Sequence, residues 1–443
     1  MTRTQSPQRA AGVAPGGGTF LSAIKLTHVY LVAWVMWFGA FLLTASEPYS
    51  GQSLRAILVV GGGILAVFAG LAIFEPKQAP KQQPLSSGAL VRMRLCALAG
   101  MGLGALGVLF RGVDWFVIRG IGIGGDMMAN REALLNSSGP LSIVAAGLIP
   151  FTIVAPVLNG IARRQGLPMV FPVSSVLLAL IGPLMAIAVG SRSSLLFMAI
   201  MYMFCALLFF RPSARLLTGA VMGALALFAV STIVFVGRAD EMGMDIRYSA
   251  RYSVYTQMVP TQPHVLDILD SAPPAIAHTV FGAISVAQYL CHGVFEATYI
   301  VDNFGERHHS DGLYTFEYAA KVANMLPLVD IDMSTLAGIN PRQGAFATLF
   351  GNFFIDFGDY APLACFVFGL CAALVRARAV AGDWLIAPLY VVVASQVAMS
   401  IVTDPFCTAA MIYWDMGLLA FWIAARAFVF SHEPLRISRW RPA

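Results

Sequence analysis

Residues 170–210, VFPVSSVLLALIGPLMAIAVGSRSSLLFMAIMYMFCALLFF, hold a single charge, Arg192, among about forty other positions. A bilayer-crossing helix takes about 20 mostly apolar residues. The stretch is therefore long enough for two spans, with Gly190-Ser191-Arg192-Ser193-Ser194 as the turn between them. The rest of the chain follows the same pattern. It is 58% hydrophobic and 12% charged, with mean hydropathy +0.74, where a soluble domain carries about 25% charged residues. The expected fold class is an all-α polytopic integral membrane protein. About ten transmembrane helices are predicted, near 27–46, 54–74, 94–111, 141–161, 169–189, 194–210, 216–236, 359–376, 383–403 and 408–430.

These spans define one membrane domain, 27–430, between a tail over 1–26 and a basic tail over 431–443. The first tail is rich in Gly, Pro, Ser and Gln and reads as disordered. The first apolar run is too long for a cleavable signal peptide and lacks a small-residue cleavage pattern. Basic residues set the sidedness. With the N-terminus inside, Arg3, Arg9, Lys25, Lys77, Lys81, Arg92, Arg94, Arg163, Arg164, Arg211, Arg215, Arg376, Arg378, Arg426, Arg436, Arg439 and Arg441 collect on the cytoplasmic side, as do both termini. The net charge of +5 follows from this topology and gives no indication of nucleic-acid binding. Six cysteines lie scattered without a CxxC spacing; no metal site or disulfide framework is expected, although Cys291 and Cys407 share the outer side and a pairing between them is compatible with the topology.

Two outer segments exceed simple connections, 112–140 and 237–358. Long loops in compact proteins are functional or disordered, and the second has too many aromatic and aliphatic residues for disorder. Within it, residues 276–296 show two stripes at helical spacing. Ile276, Val280, Phe281, Ile284, Ala287, Cys291, Val294 and Phe295 form the apolar side; His278, Ser285, Gln288, His292 and Glu296 form the polar one. A span here would reverse every later loop and move Arg376 and Arg378 outside. The expectation is an interfacial or re-entrant amphipathic helix, its polar side facing either a cavity or the bilayer surface.

Arginine dominates the outer basic residues, with Lys321 the exception. Arg131 lies in the first long loop, Arg192 in the hairpin, Arg238 after the seventh span and Arg342 in the second loop. Its planar fork binds phosphate and carboxylate oxygens bidentately, and a cluster at the membrane boundary suits a lipid-linked diphosphate. Each arginine has ordinary pairing with outer Asp and Glu as its alternative, and for Arg192, snorkelling. GIGIGG at 120–125 lacks the strand–helix context of a nucleotide site. The run Glu306-Arg307-His308-His309 reads as a solvated turn, and Asp415, inside the last span, is expected to find a hydrogen-bond partner.

One passage is more specific: Gly344-Ala-Phe-Ala-Thr-Leu-Phe-Gly-Asn-Phe-Phe-Ile-Asp356-Phe357-Gly358, leading into an apolar span. With Gly312-Leu-Tyr314-Thr-Phe316, Gly190-Ser-Arg192-Ser and Asn130-Arg131, it resembles the Wzy-type polymerases of O-antigen and exopolysaccharide repeat units, over roughly residues 100–380. The chain departs from the family pattern at Gly358-Asp359-Tyr360, where a bulky apolar residue and glycine are commoner. The resemblance implies a GT-C-like glycosyltransferase of the bacterial inner membrane, with 112–140 and 237–358 as periplasmic loops. It would polymerise oligosaccharide repeat units linked to undecaprenyl diphosphate, beside a chain-length regulator protein and without a cofactor or metal. Asp356, His292 and Glu296 are the candidate catalytic residues. Arg192, Arg131, Arg238, Arg342 and Tyr314 are candidates for diphosphate and glycan binding. An O-antigen ligase, using the same donor and a loop histidine such as His292, is the nearest alternative. A transporter or flippase is the other, and predicts an internal repeat and charges along a mid-membrane path.

Overall fold

The computed structural model describes residues 25–43, 52–74, 87–122, 127–135, 139–164, 166–188, 191–209, 213–241, 243–324, 330–336, 338–342, 346–406 and 409–430. The tail 431–443, nearly all of the tail 1–26, and Cys407 lie outside them. Among the described residues the chain is helical, with no strand. In order, α1 is Leu26–Leu43, α2 Leu54–Ile73, α3 Ser87–Gly112, α4 Met127–Leu135, α5 Pro140–Leu148, α6 Val154–Arg164, α7 Pro172–Ala188, α8 Arg192–Phe209 and α9 Ala214–Glu241. Then come α10 Ile246–Tyr252, α11 Val254–Met258, α12 Pro263–Ser271, α13 Pro274–Asn303, α14 Glu317–Ala323, α15 Leu349–Phe357, α16 Ala361–Val380, α17 Ala387–Met399 and α18 Ala409–Phe430.

Among the described residues, six helical stretches are long and apolar enough to cross a membrane: Leu54–Ile73, Gly88–Ile118, Pro140–Arg163, Pro274–Asn303, Leu349–Val380 and Met411–Phe430. Five of them coincide with expected spans. The other five expected spans are apolar helices with shorter qualifying stretches, in α1, α7, α8, α9 and around α17. The protein is thus a helical, membrane-embedded chain.

Side-chain ties fix the helix directions. The Tyr30 hydroxyl of α1 donates to the Ile64 carbonyl midway along α2, which ties the two helices together. α2 and α16 run parallel: Arg55 bonds Asp359, Gly62 faces Pro362, and Gly70 meets Phe366 to Leu370. This contact is backbone on backbone. A Cβ on Gly70 would stand 2.4 Å from the Phe366 carbonyl oxygen, and one on Gly369 2.4 Å from that of Val67. In lipid, where apolar burial gives no driving force between helices, such close approach is what holds them. Replacing Gly70 or Gly369 by Leu must separate the pair, and overpacking costs about 1–3 kcal/mol or more. Both variants are expected to lower the thermal midpoint and yield of the detergent-solubilised protein, whereas Gly61→Leu, where nothing lies within 4 Å, should not.

α18 runs back along α17, with Gln396 donating to Asp415 at 2.7 Å and Trp422 to Asp383 at 3.1 Å. The former is the partner expected for Asp415. Arg92 of α3 donates to the carbonyl of Val429. One end of the bundle therefore collects Arg92, Asp383 and Arg426. The opposite end collects Ser53, Arg55, Asp359 and the 400–406 turn, and is called the loop end below.

α13 was expected as an interfacial or re-entrant helix with its polar side toward a cavity or the bilayer surface, and the structure turns that side inward. From Phe281 onward it is buried on both stripes, including Ser285, Gln288, His292 and Glu296; its start, with Ile276 and His278, is exposed. The polar stripe is buried because it has partners. Gln288 donates to Thr256, Thr261 and the Val259 carbonyl at 3.0–3.2 Å. The length and composition of α13 suit a span; read instead as re-entrant, it keeps residues 237–358 on one side, and its last turn is tied to the loop end. Asp302 accepts the Ser53 N–H at 3.1 Å. Gly282 packs on Thr232, nine residues before the end of α9 and so about 13 Å from it at 1.5 Å per residue. The helices between α9 and α13 have seven, five and nine residues, too few to cross. Single cysteines at 240, 306 and 332 are accordingly expected to react with an impermeant thiol reagent from one side, and a cysteine at 213 from the other. Labelling at 306 from the side of 213 would show that α13 crosses.

Candidate functional site

The loop end is organised around Asp356. Its carboxylate is fully buried and accepts three hydrogen bonds, from the Ser310 hydroxyl (2.6 Å), the Tyr314 N–H (2.9 Å) and the Thr315 N–H (2.9 Å). Its carbonyl accepts the Asp311 N–H at 3.2 Å. The two passages that carried the resemblance are thus one unit, the 310–315 turn docked on the last turn of α15. Asp311 holds a positive φ of 51° and Gly312 one of 97°, which curls two backbone N–H groups and a hydroxyl around one carboxylate. Gly358 ends α15 at φ 57°, and a Cβ there would stand 2.7 Å from His309 Nε2. Left-handed geometry and the histidine together require glycine. His309 stacks on Phe304, and its Nδ1 lies 3.1 Å from the Ile355 carbonyl.

From Asp356 the ties run outward. Tyr314, whose N–H Asp356 holds, accepts at its hydroxyl a bond from Asn340 (3.1 Å); Asn340 in turn accepts the Arg342 N–H (3.1 Å). The Arg342 guanidinium reaches three groups: Gln257 Oε1 at 3.2 Å, the Tyr299 ring at 4.0 Å from its centroid, and Glu296 Oε1 at 3.9 Å.

Glu296 has 0% exposure, and neither carboxylate oxygen has a hydrogen-bond partner. An isolated buried charge costs several kcal/mol, about 3–5 when its partner is removed, so this is the most uncomfortable group at the loop end. Such groups mark sites of function with a physical rationale. Two residues before it, Val294 is buried, and a Cβ on Gly293 would stand 2.7 Å from the Val402 carbonyl, so the 400–406 turn closes over the helix. One turn earlier lies His292. Its Nδ1 is 3.0 and 3.1 Å from the Tyr289 and Gln288 carbonyls, which assigns the proton to Nδ1 and makes Nε2 the accepting nitrogen. The Tyr255 ring lies 4.4 Å from the imidazole, between centroids.

Of the expected binding residues, Arg342 and Tyr314 join this cluster. Arg192 is the first residue of α8, Arg131 lies on α4 and Arg238 near the end of α9; their side chains lie outside the described residues. Asn130, beside Arg131, closes the 119–122 turn by two bonds with Gly122 at 3.0 and 3.1 Å. Cys291 donates its thiol to the Trp37 carbonyl at 3.4 Å. Further outer arginines pair conventionally. Arg251 bonds both oxygens of Asp270 and holds that carboxyl below its ordinary range, and Arg119 bonds Asp114 at 3.1 Å.

The sequence reading missed Asn340, Gln257 and Tyr299. Tyr299 was legible, three residues after Glu296 and on the same helix face; Asn340 and Gln257 come from separate turns and carry no pattern. No protein-family model, curated protein or solved structure matches the chain.

Proposed function

We propose that the protein is a membrane glycosyltransferase that joins lipid-diphosphate-linked oligosaccharide units into a polymer, of the Wzy type and with a ten-span, GT-C-like architecture. In this reading it sits in the bacterial inner membrane with both termini in the cytoplasm and the loop end in the periplasm. The observation that carries it is Glu296: a sealed carboxylate without hydrogen bonds, one guanidinium away from Tyr299 and Gln257. An acid, a cation and aromatic faces are what this transfer needs. The acceptor hydroxyl attacks the anomeric carbon of the donor and the bond from that carbon to the diphosphate oxygen breaks. Glu296 takes the hydroxyl proton as general base. The diphosphate leaves with its negative charge met by Arg342, and Arg192, Arg131 and Arg238 are the further arginines assigned to it. Tyr314 and Tyr299 offer ring faces to the sugars.

Asp356, by contrast, is assigned to positioning, since its three acceptor bonds are already made. A second reading keeps His292 as the base of a ligase, supported by its accepting Nε2. Cells lacking the protein separate the two. Loss of a polymerase leaves single repeat units on the lipid A core. Loss of a ligase leaves that core bare while polymer accumulates on the carrier.

A further inference from the structure

The Arg342–Glu296 pair joins a guanidinium to a fully buried carboxylate that makes no hydrogen bond; Arg247 stands as far from Asp270, at 3.9 Å, but that carboxylate is exposed and bonded by Arg251. Arg55 meets Asp359 by two bonds at 2.9 and 3.0 Å, and Arg251 meets Asp270 by two. Arg342 stands 3.9 Å from Glu296, too far for a hydrogen bond. Its side-chain donors make a single bond, to Gln257, which sits on the exposed side of α11. A guanidinium with unspent donors thus faces a carboxylate with unspent acceptors, and neither satisfies the other. The stem is fixed, because the Arg342 N–H is held through Asn340 and Tyr314 to Asp356. The head is 17% exposed, held by one hydrogen bond and the Tyr299 ring, while Glu296 behind it is sealed.

We infer that Arg342 is an exchangeable latch: a lipid-linked diphosphate draws its guanidinium off Glu296 and so uncovers the carboxylate for the second substrate. This rests on the glycosyltransferase reading and deepens it by fixing an order, donor before acceptor. Diphosphate oxygens accept from the guanidinium fork bidentately, which the Glu296 carboxylate at its present distance does not. The swap therefore replaces a loose Coulombic contact by direct bonds. Until it happens the base faces a cation and is closed to hydroxyls, so water is kept from attacking the donor.

A hydrophobic carbodiimide, which adds across a carboxylic acid to give an O-acylisourea, reads the uncovering at Glu296 by peptide mass. The full-length protein in nanodiscs is treated with and without undecaprenyl diphosphate, with phosphatidylglycerol as the anionic control. Labelling of Glu296 is expected to rise several-fold with the diphosphate alone. Arg342→Ala should label strongly without ligand and no longer respond; Gln257→Ala, which frees the guanidinium without touching Glu296, should fall between. Unchanged labelling on adding diphosphate, an equal response to phosphatidylglycerol, or wild-type labelling in both variants overturns the latch. Polymer formation without a labelling response sinks the latch alone. A labelling response without polymer sinks the glycosyltransferase reading and leaves the latch standing.

Discussion

Asp356→Asn is expected to destabilise the loop end and abolish polymer together. Oδ1 accepts from Ser310 and the Tyr314 N–H, and Oδ2 from the Thr315 N–H. All three donors point at one buried group, and asparagine has a single acceptor oxygen. Whichever way its amide turns, an NH2 faces at least one donor. Losing a charge-assisted bond and leaving a buried donor unmet costs about 2–4 kcal/mol in sum. The 310–315 turn then loosens, and with it Tyr314, Asn340 and Arg342. The measurement is a thermal midpoint for the purified protein beside a polymer-length ladder from complemented cells. Both should fall. A variant with an unchanged midpoint and no polymer would return the base role to Asp356.

Glu296→Gln should leave stability nearly unchanged and cost as much activity. The amide is isosteric, and the carboxylate it replaces makes no hydrogen bonds, so nothing bonded is lost. The midpoint should stay close to the wild-type value, because Arg342 is partly exposed and keeps Gln257 and Tyr299 as partners. Transfer should slow about 10²–10⁴-fold, the usual contribution of general base catalysis. Donor binding, measured with radiolabelled carrier lipid, should persist, because Arg342 keeps its cation–π contact and its bond to Gln257. A Glu296→Gln enzyme working at the wild-type rate, with His292→Ala inactive, would move the base one helical turn.

Much of this was legible in the sequence because the bilayer and helical periodicity act locally. The apolar runs gave the helices, and the expected 190–194 turn falls at the junction of α7 and α8, although Arg192, Ser193 and Ser194 already belong to α8. The two stripes of 276–296 are present in α13, and the polar one does carry Gln288, His292 and Glu296. What the stripes do not encode is what covers them. A helix with a polar face is stable at a surface or under partners, and those partners here, Thr256, Gln257 and Thr261 from one segment and Arg342 from another, lie outside the helix itself. The same holds for Asp356. Its place before Gly358 marked it as important, but whether a carboxylate is spent or available depends on Ser310, Tyr314 and Thr315, 41 to 46 residues upstream.

The central claim, that Glu296 and Arg342 serve glycosyl transfer between carrier-linked units, is tested most directly by reconstitution. Purified protein in proteoliposomes is given one undecaprenyl-diphosphate-linked oligosaccharide, and the products are sized by mass. The account predicts a ladder of whole repeat units with release of undecaprenyl diphosphate, absent with Glu296→Gln and strongly reduced with Arg342→Ala. Movement of intact carrier lipid across the bilayer with no new glycosidic bond would contradict it, as would an undiminished ladder from Glu296→Gln.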